Sequence, residues 1–183
     1  MFITPGPNNA MLTMSGLKFG FKRSLPHVTG IALGHAVQVS AICLGLGFFL
    51  LEYPEFQIIL KWLCFAYLIF LAYKMIGSFK DYKKESGRPL RAYEAALFQW
   101  INPKAWTIAL TVASGFMPIQ ETLIVAALFT GIMSSLISFP CISLWALFGS
   151  IIRKIVSNLF IKKIIEYCFA ILLIFTGLYL VLN

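Results

Sequence analysis

Long apolar stretches recur along this sequence, and each is long enough to cross a lipid bilayer as a helix. A hydrocarbon core about 30 Å thick takes roughly 20 helical residues. Inside lipid, backbone groups must be hydrogen-bonded within the protein, so only helices or a closed barrel are stable there. The stretches are continuously apolar rather than alternating, which favours helices. With 60% hydrophobic and 12% charged residues, we predict an all-α polytopic membrane protein with a single domain, 1–183.

Basic residues are concentrated on alternate connections between the predicted membrane spans. The predicted spans are residues 1–17, 26–51, 57–77, 93–118, 122–150 and 162–182. The segments 18–25, 74–104 and 151–163 hold 14 of the 15 Lys and Arg residues, whereas 52–56 and 118–121 carry only glutamates as charged residues. Lysine and arginine accumulate on the cytoplasmic side of membrane proteins. We therefore predict cytoplasmic basic connections and external termini, and the net charge of +8 does not indicate a nucleic-acid partner.

The two halves of the chain resemble each other at three points that occur in the same order. Thr-Gly-Ile recurs at 29–31 and 130–132, Cys-Phe-Ala recurs at 64–66 and 168–170, and TPGPNNA at 4–10 falls opposite INPKA at 101–105. Three spans in each half reverse the direction of the chain, so the second half must be inverted relative to the first. We predict six helices in a 3+3 inverted repeat: repeat one at 1–77, a cytoplasmic loop at 78–92 and repeat two at 93–182.

Each predicted repeat begins with a helix that proline interrupts. Pro removes a backbone donor and clashes with the preceding turn. The N–H groups left unpaired after such a break carry the positive end of the helix dipole and can hold an anion. In transporters with inverted repeats, broken helices in corresponding positions form the substrate site. The predicted substrate-binding residues are Thr4, Pro5, Gly6, Pro7, Asn8, Asn9, Gln38, Gln99, Asn102, Pro103 and Lys104.

Several of these residues also have a purely structural interpretation. Proline can simply kink a membrane helix, and Asn8 or Asn9 can cap a half-helix instead of binding a substrate amine. Asn102, at the second break, is expected to have the same role as Asn8 or Asn9. Lys104 either snorkels to the cytoplasmic surface or provides a counter-charge for a substrate carboxylate. Only three residues precede Thr4, against about ten before Asn102, so we expect either a start further upstream or a truncated product.

Polar groups inside the second predicted span suggest how transport is coupled to protons. His35 is the one histidine well inside a span, and an ionisable group in a membrane is a functional candidate by default. Gln38 shares its helix face, and Gly30 with Gly34 predicts close helix packing. The three glutamates that border the later spans lie near span ends, so the usual proton-carrying carboxylate is missing: they are Glu94, Glu121 and Glu166.

The remaining residue types give little support to an enzyme, a metal site or a cofactor. Two histidines and no mid-span acid do not form a catalytic pair or a ligand cluster. All four cysteines lie in apolar stretches without a CxxC pair, so we interpret them as small apolar residues. Cys64 and Cys168 occupy equivalent repeat positions, which leaves a membrane thiol-redox relay as an alternative. The other alternative is a truncated paralogue that is inactive in transport.

Three blocks of this sequence resemble the lysine exporter family, the LysE/RhtB-type bacterial amino-acid exporters. They are TPGPNNAMLTMSGLKFGFKRSLPHVTGIALG at 4–34, LKWLCFAYLIFLAYKMI at 60–76 and FQWINPKAW at 98–106. The pattern is closer to the branch that exports neutral amino acids, cysteine and threonine. The resemblance implies a multi-pass carrier of the bacterial inner (plasma) membrane that exports amino acids in exchange for protons. It implies an amino-acid substrate and lipid contacts, and it leaves homo-oligomerisation open.

Overall fold

Every regular element in the described part of the chain is helical, as the sequence predicts. The computed structural model describes residues 2–4, 6–76, 87–156 and 158–182. Pro5 and most of the predicted loop 78–92 lie outside these residues. The elements are α1 (Pro7–Phe19), α2 (Phe21–Ala41), α3 (Gly47–Glu52), α4 (Pro54–Met75), α5 (Ala92–Ile101), α6 (Pro103–Phe116), α7 (Leu123–Ile155) and α8 (Leu159–Leu182), with a π-helical segment, Ile42–Leu46, between α2 and α3.

Four helical stretches in the described residues are long and apolar enough to cross a membrane. They are Phe21–Leu50, Pro54–Tyr73, Leu123–Ile155 and Lys163–Leu182. Their outer surfaces carry many exposed large apolar side chains, such as Phe48 at 80% and Phe175 at 67% exposure. Apolar surface on this scale is typical of contact with lipid. The predicted span 26–51 is interrupted, because Gly45 has φ 119° within the π-helical segment.

The other two predicted spans, 1–17 and 93–118, contain shorter helices. α1 has 13 residues and is about 20 Å long, which is less than a hydrocarbon core. Pro103 begins α6 directly after Asn102, which ends the ten-residue α5. Because proline cannot continue the hydrogen-bond pattern of α5, the fourth predicted span consists of two half-helices. The six-span repeat stays a prediction.

α2 packs antiparallel to α7, and α4 packs against α8. Ser40 Oγ donates to the carbonyl oxygen of Ala127 at 3.0 Å. His35 Nε2 lies 3.0 Å from Ser134 Oγ. Residue numbers therefore fall along α2 as they rise along α7. Gly177 of α8 lies against Phe65 and Leu68 of α4, and both helices contribute residues to one buried cluster.

Glycines allow the helix backbones to approach each other closely. A Cβ at Gly16 would collide with the carbonyl oxygen of Ala146, and one at Gly149 would collide with that of Thr13, so α1 and α7 touch through backbone atoms. Gly30 faces the backbone of Ala92 in the same way. The predicted close packing at Gly30 and Gly34 is thus confirmed, and its partner is α5.

Replacing Gly149 with leucine is expected to destabilise the packing of α1 on α7. The side chain would meet backbone atoms of Thr13 and Leu17, which cannot move aside as a side chain can. Overpacking of this kind costs about 1–3 kcal/mol or more, and we expect the melting temperature in detergent to fall by at least ~5 °C. Gly115→Leu is the control, because no described atom lies within 4 Å of a Cβ there. Equal melting of both variants would contradict the prediction.

Candidate functional site: a cavity between the start of α1 and the α5–α6 break

The two predicted helix breaks are in direct contact. Lys104, in the first turn of α6, donates from Nζ to the carbonyl oxygen of Thr4 at 3.0 Å and to its Oγ1 at 2.9 Å. The lysine side chain crosses Gly6, where a Cβ would lie 2.8 Å from Nζ. Any larger residue at position 6 would require the lysine side chain to shift. Segments about 100 residues apart in sequence therefore meet through one side chain.

Asn9 stabilises the first break by binding the segment that precedes it. Its Nδ2 donates to the carbonyl oxygens of Phe2 at 2.9 Å and Thr4 at 2.8 Å, and the side chain is buried. The expectation that Asn8 or Asn9 caps α1 is wrong. Gly6 occupies the N-cap position and no side chain caps the helix. The reason is that the helix already begins at Pro7, so both asparagines lie inside its first turn.

Asn102 caps the helix that follows the second break. Its Oδ1 accepts from the backbone N–H of Lys104 at 3.2 Å, and its backbone is extended. Its side chain is 1% exposed. Pro103 begins α6. The first turn of this helix faces the first break, where Lys104 contacts Thr4. The starts of α1 and α6 thus bring two positive dipole ends to one place.

Asn8 and Gln99 connect α1 to α5 at the same level. Asn8 Nδ2 donates to Gln99 Oε1 at 2.8 Å. Gln99 Nε2 makes a long contact of 3.4 Å to the carbonyl oxygen of Ile31, and Gln38 Nε2 donates to the backbone oxygen of Gln99 at 3.1 Å. Asn8 Oδ1 and Gln38 Oε1 are buried without a hydrogen-bond partner among the described residues. Two acceptors are therefore available near the breaks.

These residues surround a cavity of about 30 Å³. A water molecule needs about 10–15 Å³ by this measure, so there is room for about two waters and not for an amino acid. Eight of the predicted site residues line it, namely Gly6, Pro7, Asn8, Asn9, His35, Gln99, Asn102 and Lys104. Thr4, Gln38 and Pro103 lie next to it through the contacts above, and Pro5 is not described.

His35 belongs to α2 and lies on the wall of the cavity, where α2 packs against α7. Its ring is 2% exposed, contacts Ser134 Oγ, and packs edge-on against Phe2 with 5.2 Å between ring centroids. Ser134 and Ser138 of α7 are both buried, and Ser138 also lines the cavity. Sequence reasoning missed both serines. Their four-residue spacing within an apolar span places them on one helix face and was an available signal.

Two buried ionisable groups near the basic end of the helices were also missed. Glu166 was placed near a span end, yet it is only 1% exposed. Its carboxylate interacts electrostatically with Lys18 of α1. His27, at the start of the predicted span 26–51 and assigned no role there, is 2% exposed. Neither has a sequence signal, because burial at a helix end depends on which neighbouring helices cover it.

The described residues give no sign of a metal centre or a disulfide. They contain no group of three or more His, Cys, Asp or Glu side chains that could hold a metal ion. All four cysteines are free thiols, Cys64 fully buried and Cys168 exposed. Cys168 lies on the exposed side of α8, within a stretch that is apolar enough to cross a membrane.

The fold and the site define a helical, polytopic membrane protein with a small cavity where the start of α1 meets the break between α5 and α6. The chain belongs to the LysE type translocator family, whose model matches residues 1–183. It is 27% identical over 173 residues to a cysteine/O-acetylserine efflux protein of Salmonella paratyphi A, a match that covers 91% of this chain and 88% of the relative. The protein of that name in Escherichia coli K12 is 25% identical over the same length. No solved structure matches.

Proposed function

We propose that this protein exports a small neutral amino acid, cysteine or O-acetylserine in the first instance, across the bacterial inner membrane. The relatives named above are efflux proteins for these compounds. The observation that carries the proposal is the meeting of the start of α1 with the α5–α6 break at a small cavity, through Lys104 with Thr4 and Asn8 with Gln99. Such a site is suited to a carrier, and the function we propose is transport and not catalysis.

An amino acid is a zwitterion, and in the proposed binding mode its carboxylate and its ammonium group bind different parts of the site. The substrate carboxylate would bind Lys104 and the starts of α1 and α6, where positive charge is concentrated. The ammonium group would bind Asn8 Oδ1, a buried acceptor without a partner among the described residues. Thr4 holds Lys104 through neutral oxygens, which a carboxylate can replace with a stronger, charged hydrogen bond.

The small size of the cavity indicates a closed state in the proposed transport cycle. In inverted-repeat carriers, the repeats rock against each other around a fixed site. The packed pairs α2 with α7 and α4 with α8 support such a repeat here, because each pair joins segments that the sequence matches assign to equivalent positions. Opening toward either side would enlarge the cavity enough for the substrate.

We assign the exchanged proton to His35. Its ring faces the cavity and contacts Ser134 on the helix equivalent to its own. Replacing His35 with glutamine is expected to keep substrate exchange between the two sides, since the amide preserves a polar contact to Ser134. It should remove the dependence of net efflux on a pH gradient. Proteoliposomes with and without an imposed gradient measure both, and gradient-driven transport equal to wild type would contradict the assignment.

Export itself is tested by efflux of radiolabelled O-acetylserine and cysteine from cells that express the chain. We expect faster efflux than from cells with empty vector, with no gain for lysine. Efflux equal to empty vector would indicate the transport-inactive paralogue. A thiol relay requires an accessible thiolate, and the complete burial of Cys64 argues against it.

A further inference from the structure

The break between α5 and α6 deprives two carbonyl oxygens of α5 of their normal helical partners. In an α-helix, the carbonyl of residue i accepts from the N–H of residue i+4. For Gln99 that residue is Pro103, which has no N–H. For Trp100 it is Lys104, whose N–H donates to Asn102 Oδ1 instead. Two successive carbonyls therefore need donors from elsewhere.

Two side chains supply these donors. Gln38 Nε2 of α2 donates to the Gln99 carbonyl at 3.1 Å, a shorter contact than the 3.4 Å one from the N–H of Asn102. Trp106 Nε1 of α6 donates to the Trp100 carbonyl at 2.8 Å. The first bond ties the end of α5 to a neighbouring helix, whereas the second crosses the break and joins α6 to α5.

Trp106 is held firmly by its surroundings, which gives its N–H a fixed direction. The side chain is 6% exposed and belongs to a buried apolar cluster with Val39 and Ala109. Its ring lies edge-on against the ring of Trp100, with 5.5 Å between the centroids. An indole has a single N–H donor and no acceptor. This one hydrogen bond therefore fixes the start of α6 relative to the end of α5.

The orientation of α6 decides where the Lys104 side chain lies. Lys104 comes two residues before Trp106. Its ammonium reaches Thr4 across Gly6. Lys104 and Ala105 line the cavity of about 30 Å³ at the breaks, which we call the central cavity, whereas the side chain of Trp106 is not part of that lining. Trp106 can therefore act on a solute in the central cavity only through its neighbours.

We infer that Trp106 is a positioning residue for substrate binding. Its indole N–H closes the break on the Trp100 carbonyl, and this holds the Lys104 ammonium where the substrate carboxylate binds. The inference rests on the proposed function for the role of the carboxylate. Without the indole donor, the Trp100 carbonyl loses its partner and α6 loses the contact that keeps Lys104 against Thr4.

Replacing Trp106 with phenylalanine tests the inference, because it keeps an aromatic ring in the apolar cluster and removes the N–H. We expect the KM for O-acetylserine in proteoliposomes to rise about tenfold, as for one lost hydrogen bond with an unpaired partner, with little change in kcat. Trp62→Phe makes the same change on an exposed face of α4 and should leave the KM unchanged.

A double variant separates positioning from general damage. Combined with Lys104→Met, Trp106→Phe should raise the KM no further than Lys104→Met alone, since no ammonium remains to be positioned. If phenylalanine prevents folding, benzothienylalanine at position 106 makes the same test, because it keeps the shape of the indole and replaces its N–H with sulfur. Melting temperatures check that each variant is folded.

Chemical labelling of Lys104 tests the inference without transport. In purified protein, a small amine-reactive reagent should label Lys104 about threefold faster in Trp106→Phe than in wild type, because the ammonium loses its fixed hydrogen bonds to Thr4. Mass spectrometry measures the rate. Lys61 of α4 is the internal reference and should react equally in both proteins.

Equal labelling of Lys104 in wild type and Trp106→Phe would overturn the inference, whatever the KM. An unchanged KM in a chain that transports would do so as well. A rise in KM that adds fully to that of Lys104→Met would show that Trp106 supports the fold and not the lysine. If wild type transports no amino acid, faster labelling still supports the positioning of Lys104, and the proposed function alone fails.

Discussion

Replacing Gln99 with leucine is expected to reduce efflux at least tenfold while the protein still reaches the membrane. Leucine removes the acceptor of the Asn8 Nδ2 hydrogen bond and the contact to the carbonyl oxygen of Ile31. Gln99 lies in the wall of the central cavity and is 2% exposed. Each buried polar group left unpaired costs about 1–3 kcal/mol, and about 1.4 kcal/mol corresponds to tenfold in rate. Initial rates of efflux, normalised to the amount of protein in the membrane, measure the effect.

A matched control and a double variant separate the site from general damage. Gln120→Leu makes the same change in an exposed turn and should leave efflux near wild type. Asn8→Ala combined with Gln99→Leu should cost clearly less than the sum of the single changes, because the two side chains share one hydrogen bond. Fully additive losses would contradict a joint role for the pair.

Replacing Lys104 with methionine is expected to raise the KM for the exported amino acid by tenfold or more. Methionine keeps an unbranched side chain over Gly6 but removes the ammonium that binds Thr4 and, in our proposal, the substrate carboxylate. A hydrogen bond to a charged group is worth about 1.5–3 kcal/mol, which is roughly 10- to 150-fold in affinity. Transport into proteoliposomes at a series of substrate concentrations gives the KM.

Lys61→Met is the matched control for this variant. Lys61 lies on α4, away from the residues that line the central cavity, so the same loss of charge should leave the KM unchanged. If the Lys104 side chain only extended to the membrane surface, replacing it would change the KM as little as replacing Lys61. An unchanged KM for Lys104→Met would therefore remove the counter-charge from the proposed binding mode.

The positions of the helices could be predicted because apolar length and proline chemistry are local properties. The runs around 57–77 and 162–182 became α4 and α8 with shifts of a few residues. The break at Asn102 followed from Pro103, which lacks the N–H that α5 would need to continue. The interruption at Gly45 was not predicted, since a glycine in a helical run does not by itself reveal a positive φ.

The membership of the site was partly predictable, whereas the pairing of its side chains was not. The three prolines of the two predicted breaks, Pro5, Pro7 and Pro103, and their neighbouring amides indicated where polar groups would collect. That Asn8 would meet Gln99, or that Lys104 would reach Thr4, depends on how helices about 100 residues apart pack. His27 and Glu166 were overlooked for the same reason, because only neighbouring helices bury them.

The narrow central cavity limits what this conformation can hold. A space with room for about two water molecules is too small for an ion with its hydration shell. An ion could occupy it only after losing most of its water.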